Sequence, residues 1–436
     1  MAAILLTGAS GFIGQHLADA LLRDGHDVVC AVRDTARRHD RRFRYVAADF
    51  TRDVDAAVWL ARLTGIDVVI NAVGILRESG AQTFDLIHSR TPRALFAACL
   101  QAGVKRVVQI SALGADAQAA SRYHLSKKEA DDYLASLPLQ SVIVQPSLIY
   151  GPGGTSARMF TTLASLPLIM LPGAGMQQVQ PVHIDDLVAA IRLLVRQDVM
   201  PGTCLPVVGP EPMAMRTFIA TLREAMGAGR AHFLPVPSGL VRLAARAGSM
   251  LPGALLDPET LAMLERGSTG DVGPLARLLG HAPRPVRQFI APPEAASLRL
   301  SARLNWLLPL LRLSIALVWI WTGIVSLGLY PVEDSYALLA RTGISGWLAP
   351  VMLYGAALLD LCFGFATLFL PRRRWLWIAQ LALIGFYTVL ITFRLPEFWL
   401  HPYGPLSKNL PMLAAIGLLL ALENEADNNA KPDRKR

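Results

Sequence analysis

The sequence predicts an α/β domain built on a doubly wound parallel sheet with a small additional lobe, followed by an all-α transmembrane domain of four helices. Three observations predict it. Short apolar runs alternate with longer helical patterns over residues 3 to 146, a glycine-rich turn (Gly8, Gly11, Gly14) separates the first run from the first helical pattern, and long stretches beyond residue 303 are almost free of charge. At 436 residues the chain exceeds what one hydrophobic core holds, and its 53% hydrophobic and 17% charged content is more apolar than that of a typical soluble domain.

The expected strands are Ile4 to Thr7, Asp27 to Val32, Arg44 to Ala47, Asp67 to Asn71, Arg106 to Ile110 and Val142 to Gln145. Most are continuous apolar runs, as strands covered on both faces require. Residues 1–290 form the first domain, with 151–290 as its smaller substrate lobe. Residues 282 to 303, with Pro283, Pro285, Pro292 and Pro293, read as a linker, of which 291–303 separates the two domains. A membrane domain over 304–422 and a charged cytoplasmic tail over 423–436 complete the chain.

Thr7-Gly8-Ala9-Ser10-Gly11-Phe12-Ile13-Gly14 lies between the first strand and the first helix. Glycines permit the tight turn and let the backbone approach a pyrophosphate, whose charge meets the free N–H groups at the helix N-terminus. This is a Rossmann-type signature for a dinucleotide. An acidic residue at the end of the second strand would bond a ribose 2′-hydroxyl, and an arginine would hold a 2′-phosphate. Val32-Arg33-Asp34, with Arg37 and Arg38 following, favours NADP(H), while Asp34 keeps NAD(H) open.

With its G-x-x-G-x-x-G spacing, the sequence resembles the extended and atypical branches of the short-chain dehydrogenase/reductase superfamily over about residues 1 to 290. Further matches follow in order: Asp49-Phe50, Asn71-Ala72-Val73-Gly74, Ser111, Tyr123-x-x-x-Lys127, Gln145-Pro146, Tyr150-Gly151-Pro152-Gly153 and Pro181-Val182-His183-Ile184-Asp185-Asp186. The resemblance implies a cofactor cleft lined by Gly8, Ser10, Gly11, Phe12, Ile13, Gly14, Arg33, Asn71, Ala72, Val73, Gly74, Tyr123, Lys127 and Pro146, with Asp49 and Phe50 bordering the adenine. Ser111-Ala112-Leu113-Gly114-Ala115-Asp116 makes the domain similar to the nucleotide-binding accessory subunit of respiratory complex I.

Tyr123 and Lys127 share one face of a helix expected to begin at Ser121. A phenol near pKa 10 needs a nearby cation to exchange protons at neutral pH, and Lys127 would supply it. By resemblance Lys127 also holds the nicotinamide ribose, and Ser111 orients a substrate carbonyl. Tyr123 would then act as general acid/base in hydride transfer. The competing account is that Tyr123 packs on its helix and performs no chemistry. His183-Ile184-Asp185-Asp186 reads as a helix cap, and no metal is expected.

The formal charge is +9, but its arginines are scattered, which argues against nucleic acid as a partner. Cys30, Cys99, Cys204 and Cys362 lie far apart with no C-x-x-C pair. No basic n-region precedes Ala3, so no signal peptide is expected and the first domain is placed in the cytoplasm. Leu240 to Leu256 is expected as an ordinary amphipathic core helix, with membrane-surface contact as the alternative.

Leu313 to Tyr330, Trp347 to Leu370 and Trp375 to Phe393 are each long enough to span a bilayer, and the shorter Leu410 to Leu422 is a fourth candidate. Arg299, Arg303, Arg372, Arg373, Arg374, Lys431, Arg434, Lys435 and Arg436 would fall on one side, with Arg341, Arg394 and Lys408 on the other. That bias predicts four spans of a bacterial-type inner membrane with both termini inside. Trp306, Trp347, Trp375, Trp377 and Trp399 are expected at the interfaces.

Leu395-Pro396-Glu397-Phe398-Trp399 and the run from His401 to Pro411 make residues 304 to 422 resemble a DoxX-like membrane domain, some of whose relatives are associated with quinone-linked electron transfer. Asp360 is expected to hydrogen-bond another helix, or to form a polar pocket with His401, Lys408 or Asn409.

Three functions follow: a membrane-tethered NADP(H)-dependent oxidoreductase acting on a lipophilic carbonyl, alcohol or quinone; an NADP(H)-binding sensor or assembly factor; and a nucleotide-sugar epimerase or dehydratase. Neither substrate identity nor oligomeric state is legible.

Overall fold

The computed structural model describes residues 1–36, 40–197, 200–248, 258–371 and 373–429. Arg37, Arg38, Arg372 and the basic residues from Lys431 onward lie outside them. The chain divides into two compact units, Met1–Ala302 and Arg303–Arg436.

In the first unit seven strands form one parallel sheet: β1 (Ala3–Thr7), β2 (Asp27–Val32), β3 (Arg44–Ala47), β4 (Val68–Asn71), β5 (Arg106–Ile110), β6 (Ser141–Pro146) and β7 (Thr203–Val207). Their spatial order is β7-β6-β5-β4-β1-β2-β3, with every neighbouring pair parallel. The order reverses between β1 and β4, the switch point where doubly wound sheets bind ligands. Ile4 and Leu6 face one core layer and Leu5 the other, so a strand buried on both sides has to be apolar throughout.

The helices that position the site are α1 (Phe12–Arg23), α2 (Thr91–Gln101) and α3 (Arg122–Ser136). Ser121 caps α3, its hydroxyl accepting the His124 N–H at 3.2 Å, which confirms the expected start. A further helix, α4 (Ile184–Arg196), packs on α1, burying Ile184, Leu187, Ile191 and Leu194 in the same core layer as Ile4 and Leu6.

That packing corrects the expected lobe of residues 151–290. Residues 182 to 207 return to the main sheet as α4 and β7. The lobe proper is a separate cluster formed by Phe160, Ile169, Leu171, Phe218, Ile219 and Leu222, joined by Phe289 and Ala302. Next to it a helix α5 (Ser238–Gly248) packs Val241 and Ala245 against Leu261, with Val236 beside them, and the remainder of the expected Leu240 to Leu256 helix lies outside the described residues.

The linker is also corrected. Residues from Pro292 onward are helical, as α6 (Pro292–Ile324). Pro292 and Pro293 occupy the first turn, where no intrahelical N–H is required, so they start a helix rather than prevent one.

The second unit contains the rest of α6, then α7 (Leu348–Phe369), α8 (Arg374–Arg394) and α9 (Asn409–Asn429), with an amphipathic helix at Val332–Thr342. Among the described residues, three helices are long and apolar enough to cross a membrane: α6 with its continuation to Leu329, α7 and α8. The apolar part of α9, Asn409–Glu423, is shorter. Helix α9 runs to Asn429, so the expected tail is helical over its first residues.

Ile315, Trp319, Trp377, Ile384, Ile416 and Leu419 form the core of this unit, while Trp321, Trp375, Phe386 and Phe393 face outward. Outward aromatic and aliphatic side chains in this number suit a lipid environment rather than water. Trp377, three residues into α8, turns inward instead of outward. It is fully buried, and its indole N–H donates to Glu423 at 2.8 Å.

Asp360 lies beside Thr322 of α6, whose hydroxyl donates to the Val318 and Trp319 carbonyls at 3.0 Å, and Asn409 donates to Thr388 at 2.8 Å. Gly323 and Gly364 let α6 and α7 approach there, because a Cβ on Gly323 would come within 2.8 Å of the Ala357 carbonyl oxygen.

Candidate active site

The glycine turn has the geometry a dinucleotide pyrophosphate requires. Gly8 adopts φ +69°, and a Cβ there would lie 2.6 Å from the Ala72 carbonyl oxygen. The Gly11 N–H closes the turn by donating to the Gly8 carbonyl at 2.9 Å. At Gly14 a Cβ would meet that same carbonyl oxygen at 2.1 Å, so α1 approaches β1 as only glycine allows. No side chain caps Gly11, which leaves the N-terminal N–H groups of α1, at Phe12 and Ile13, available to an anion. The Phe12 ring packs toward Gly151 and Gly154.

Beside this turn, a cleft of about 280 Å³ is lined by Ala9, Ser10, Gln15, Val32, Arg42 and Phe43 among others. Arg42, absent from the sequence reading, is held by Asp40 at 2.6 Å and by Asp19 at 3.1 Å. Arg33 is exposed at the end of β2. Burial raises the pKa of Asp49, yet the N–H and hydroxyl of Thr51, with Arg52 and Arg33, hold it below the usual carboxylate range.

Phe50 does not line the cleft. It is buried, with its ring centroid 5.5 Å from that of Trp59, because an aromatic ring at the end of β3 gains more by filling the core. Pro146 is likewise buried, presenting its carbonyl to the Leu113 N–H at 3.0 Å. The side chain of Asn71 is consumed internally: its Oδ1 accepts from the Thr7 hydroxyl at 2.6 Å and its Nδ2 donates to Gln109 at 2.7 Å. These bonds tie together the ends of β1, β4 and β5. Ala72, Val73 and Gly74 remain partly accessible above them.

Lys127 projects from α3 under that loop, and its ammonium donates to the Ile110 carbonyl at 3.1 Å and to the Val73 carbonyl at 3.4 Å. Burial lowers its pKa to about 8 against the opposing charge of Asp131. A Cβ on Gly74 would lie 3.1 Å from the ammonium nitrogen, so the backbone of that loop closes directly over the charge.

Tyr123, one turn earlier on α3, packs edge-on to His88 with ring centroids 5.3 Å apart. Its hydroxyl makes no hydrogen bond among the described residues. Burial, reinforced by the charge of Asp131, pushes its pKa up to about 12. The expected effect of Lys127 on the phenol is not seen, since the ammonium is bonded to two backbone carbonyls instead.

Ser111 departs further from expectation. It is buried at the end of β5 and donates its hydroxyl to the carboxylate of Asp131. Burial raises the pKa of Asp131 to about 6, opposed by the Ser111 and Gln109 hydrogen bonds and by Lys127. Tyr123, Lys127 and Asp131 are four residues apart in turn, forming one stripe on α3. Extending the Tyr-x-x-x-Lys spacing by one turn would have found Asp131.

His88 was also missed. It is buried, with burial and then the charge of Lys127 lowering its pKa to about 2. Its Nε2 accepts the Ile75 N–H at 3.0 Å, so its Nδ1 carries the proton and donates to Ser126 Oγ at 3.0 Å. Ser126 in turn donates to the Tyr123 carbonyl at 2.8 Å. His88 therefore fixes both the loop after β4 and the turn of α3 that bears Tyr123.

The NAD dependent epimerase/dehydratase family matches residues 4–203, and the DoxX-like family matches residues 316–417. The chain is an epimerase/dehydratase-type NAD(P)-binding domain fused to a DoxX-like domain.

The epimerase/dehydratase-type domain is similar to a ceramide reductase of Caulobacter vibrioides, 29% identical over 257 residues that cover 58% of this chain and 77% of that protein. It is also similar to the mitochondrial NADH dehydrogenase [ubiquinone] 1 alpha subcomplex subunit 9 of Arabidopsis thaliana, 28% identical over 203 residues, where the match spans 44% of this chain and about half, 49%, of that subunit. Among solved structures, an NADPH-dependent quinone oxidoreductase of Escherichia coli complexed with NADPH superposes with a TM-score of 0.53 at 18% identity, covering 65% of this chain and 97% of that one. The last likeness is one of fold.

Proposed function

We propose that the protein is a membrane-tethered, NADP(H)-dependent oxidoreductase that reduces a carbonyl group on a lipophilic substrate. The observation that carries this reading is the place of the Tyr123 phenol: half-buried on the same face of α3 as Lys127, and without a hydrogen bond among the described residues, its hydroxyl proton is left for a substrate oxygen. A retained proton suits the donor in carbonyl reduction, where the oxygen gains a proton as the carbon gains a hydride.

When bound, the nicotinamide supplies that hydride. Gly8, Gly11 and Gly14 admit the pyrophosphate, and Phe12 and Ile13 offer it their N–H groups. The Lys127 ammonium, buried beneath Val73 and Gly74, holds the ribose and favours negative charge on the reacting oxygen. His88 holds the loop and α3 in register. Arg33, exposed at the end of β2, supports NADP(H) over NAD(H), because a guanidinium there fits a 2′-phosphate.

The likeness to a ceramide reductase supports a long-chain lipid carbonyl, with quinone-type carbonyls as the second class. Attachment to membrane helices raises the local concentration of such a substrate. For topology we favour a bacterial-type inner membrane with the first unit and the C-terminus in the cytoplasm. Arg303 and Arg312 of α6 precede its apolar stretch and Arg373 and Arg374 stand at the start of α8, both on the side this places inside, and Glu423 of α9 pairs with Arg312.

One observation favours a second reading, NADP(H) binding without turnover: the Ser111 hydroxyl is committed to Asp131 rather than offered to a substrate carbonyl. NADPH consumption by the full chain in nanodiscs, assayed against long-chain lipid ketones and quinones, separates the two. Turnover that disappears in Tyr123→Phe while NADPH binding persists supports the reductase, and tight binding with no turnover on any carbonyl supports the sensor.

A further inference from the structure

Helix α5 has three faces. Val241 and Ala245 point into the unit, Arg242 and Arg246 lie on a second face, and Leu240, Leu243 and Ala244 are exposed on a third, with Leu240 58% and Leu243 63% accessible. An ordinary surface helix has one apolar stripe and one polar face. Here a second apolar stripe, at the i, i+3, i+4 spacing of a helix, is left exposed among the described residues.

The strand Phe233–Val236, which ends two residues before α5, repeats the pattern. It pairs in parallel with Ile169–Pro172, placing Leu234 opposite Met170, and both partners are exposed, Met170 at 58%. Leu168 is exposed just before that strand. A single exposed leucine is ordinary, but five large exposed apolar side chains on a strand pair and the helix that follows it are not.

Along this stretch of chain the charge has one sign, with Glu265 on the neighbouring helix as its acidic counterpart. Between Glu224 and Asp257 the sequence holds Arg230, Arg242 and Arg246 and no acidic residue. Arg216 lies over the Phe233 ring at 5.4 Å, and the pairing of Arg242 with Glu265 is loose at 3.8 Å. Leucines flanked by arginines are the composition that inserts at the boundary between headgroups and acyl chains of anionic lipid. The same chain carries three helices able to cross a membrane, which keeps this lobe permanently within reach of a bilayer.

We propose that the face formed by Leu240, Leu243, Leu234 and Met170 docks on an anionic lipid surface. The proposal stands apart from the reductase reading, since the patch is independent of the nucleotide cleft. A docked lobe would meet lipid at the membrane interface instead of drawing it through water.

The test places a nitroxide at Leu243→Cys, and separately at Leu234→Cys, in the full chain reconstituted in nanodiscs of phosphatidylcholine and phosphatidylglycerol. Cys204 and Cys362, the exposed cysteines, are changed to serine. Val58→Cys, on an exposed helix face outside the patch, is the aqueous reference. The expected result is an oxygen-to-nickel-chelate collision ratio at both test positions several-fold above that at Val58. A ratio equal to that at Val58 means the face is in water and overturns the proposal. Exclusion of both reagents, as beneath a protein partner or a second copy, overturns it as well.

Discussion

The Ser111 hydroxyl donates to the buried carboxylate of Asp131, twenty residues away on the next helix. This bond makes the end of β5 part of a polar network beneath the cleft: Ser111 to Asp131, Asp131 near Lys127, and Lys127 to the carbonyls of Ile110 and Val73. Loss of one partner leaves a buried charge without its donor, which costs more than the bond itself contributes. Ser111→Ala should therefore destabilise the first unit by about 2 kcal/mol, and by much less in an Asp131→Asn background. Thermal unfolding of the four proteins of this cycle checks it, and additive losses would contradict the coupling.

The glycine turn makes a sharper structural claim. Gly14→Ala drives a Cβ to 2.1 Å from the Gly8 carbonyl oxygen and must displace either α1 or the turn, whereas Gly25, at φ +80°, has open space around its Cβ position. NADPH affinity should fall at least about tenfold in Gly14→Ala, while Gly25→Ala should cost only roughly 1 kcal/mol of stability from its left-handed backbone and leave affinity unchanged. Isothermal titration of both variants distinguishes a tight cradle from a generic turn.

His88 links pH to stability. Its folded pKa, about 2, lies far below the unfolded value of 6.5, so as pH falls through 6.5 the unfolded chain binds a proton that the folded one does not. Its contribution is fully present above pH 6.5 and is lost progressively on acidification. Between pH 7 and pH 5 the wild type should lose about 2 kcal/mol more stability than His88→Gln. Asp131 works in the opposite sense: with its folded pKa raised to about 6, its contribution is present below the unfolded value near 4 and lost as pH rises through 6. Comparison with His88→Gln isolates the histidine. Parallel pH profiles for the two proteins would contradict the assignment.

Lys127 sets a different limit. Burial holds its pKa near 8, so its positive charge fades above that pH, while the Tyr123 phenol stays protonated far beyond it. The rate of carbonyl reduction should fall through an apparent pKa near 8. In Lys127→Arg, which stays charged, that alkaline limb should disappear even if the overall rate drops roughly tenfold or more. An unchanged limb in Lys127→Arg would remove Lys127 from the proton chemistry.

The cradle and the stripe on α3 were legible because their signals are local. Gly8, Gly11 and Gly14 lie within one turn of chain, and Tyr123 and Lys127 are a helical i, i+4 pair behind a serine cap. Ser111 was legible in position but not in partner, because its bond to Asp131 exists only once β5 lies beside α3. His88 lay beyond reach for a similar reason: it sits in a wide helical turn over Asp85–Arg90, a geometry that no residue spacing announces. Phe50 shows the opposite error, in which a motif position was read as cleft lining while the aromatic ring was drawn to the Trp59 core.

Boundaries failed where one residue type has two meanings. Pro292 and Pro293 break chains in some places and begin helices in others, and here they begin α6. The apolar stripe of Ile184, Leu187, Ile191 and Leu194 announced an amphipathic helix without saying which layer it covers, so α4 was read with the lobe instead of the main sheet.

The most direct test of the central claim is isotopic. The full chain in nanodiscs, supplied with NADPH deuterated on the nicotinamide carbon and with a long-chain lipid ketone, should yield a lipid alcohol carrying one deuterium on its carbinol carbon, and Tyr123→Phe should yield almost none. Recovery of the ketone unchanged with NADPH bound, or equal deuterium transfer by Tyr123→Phe, would contradict the account.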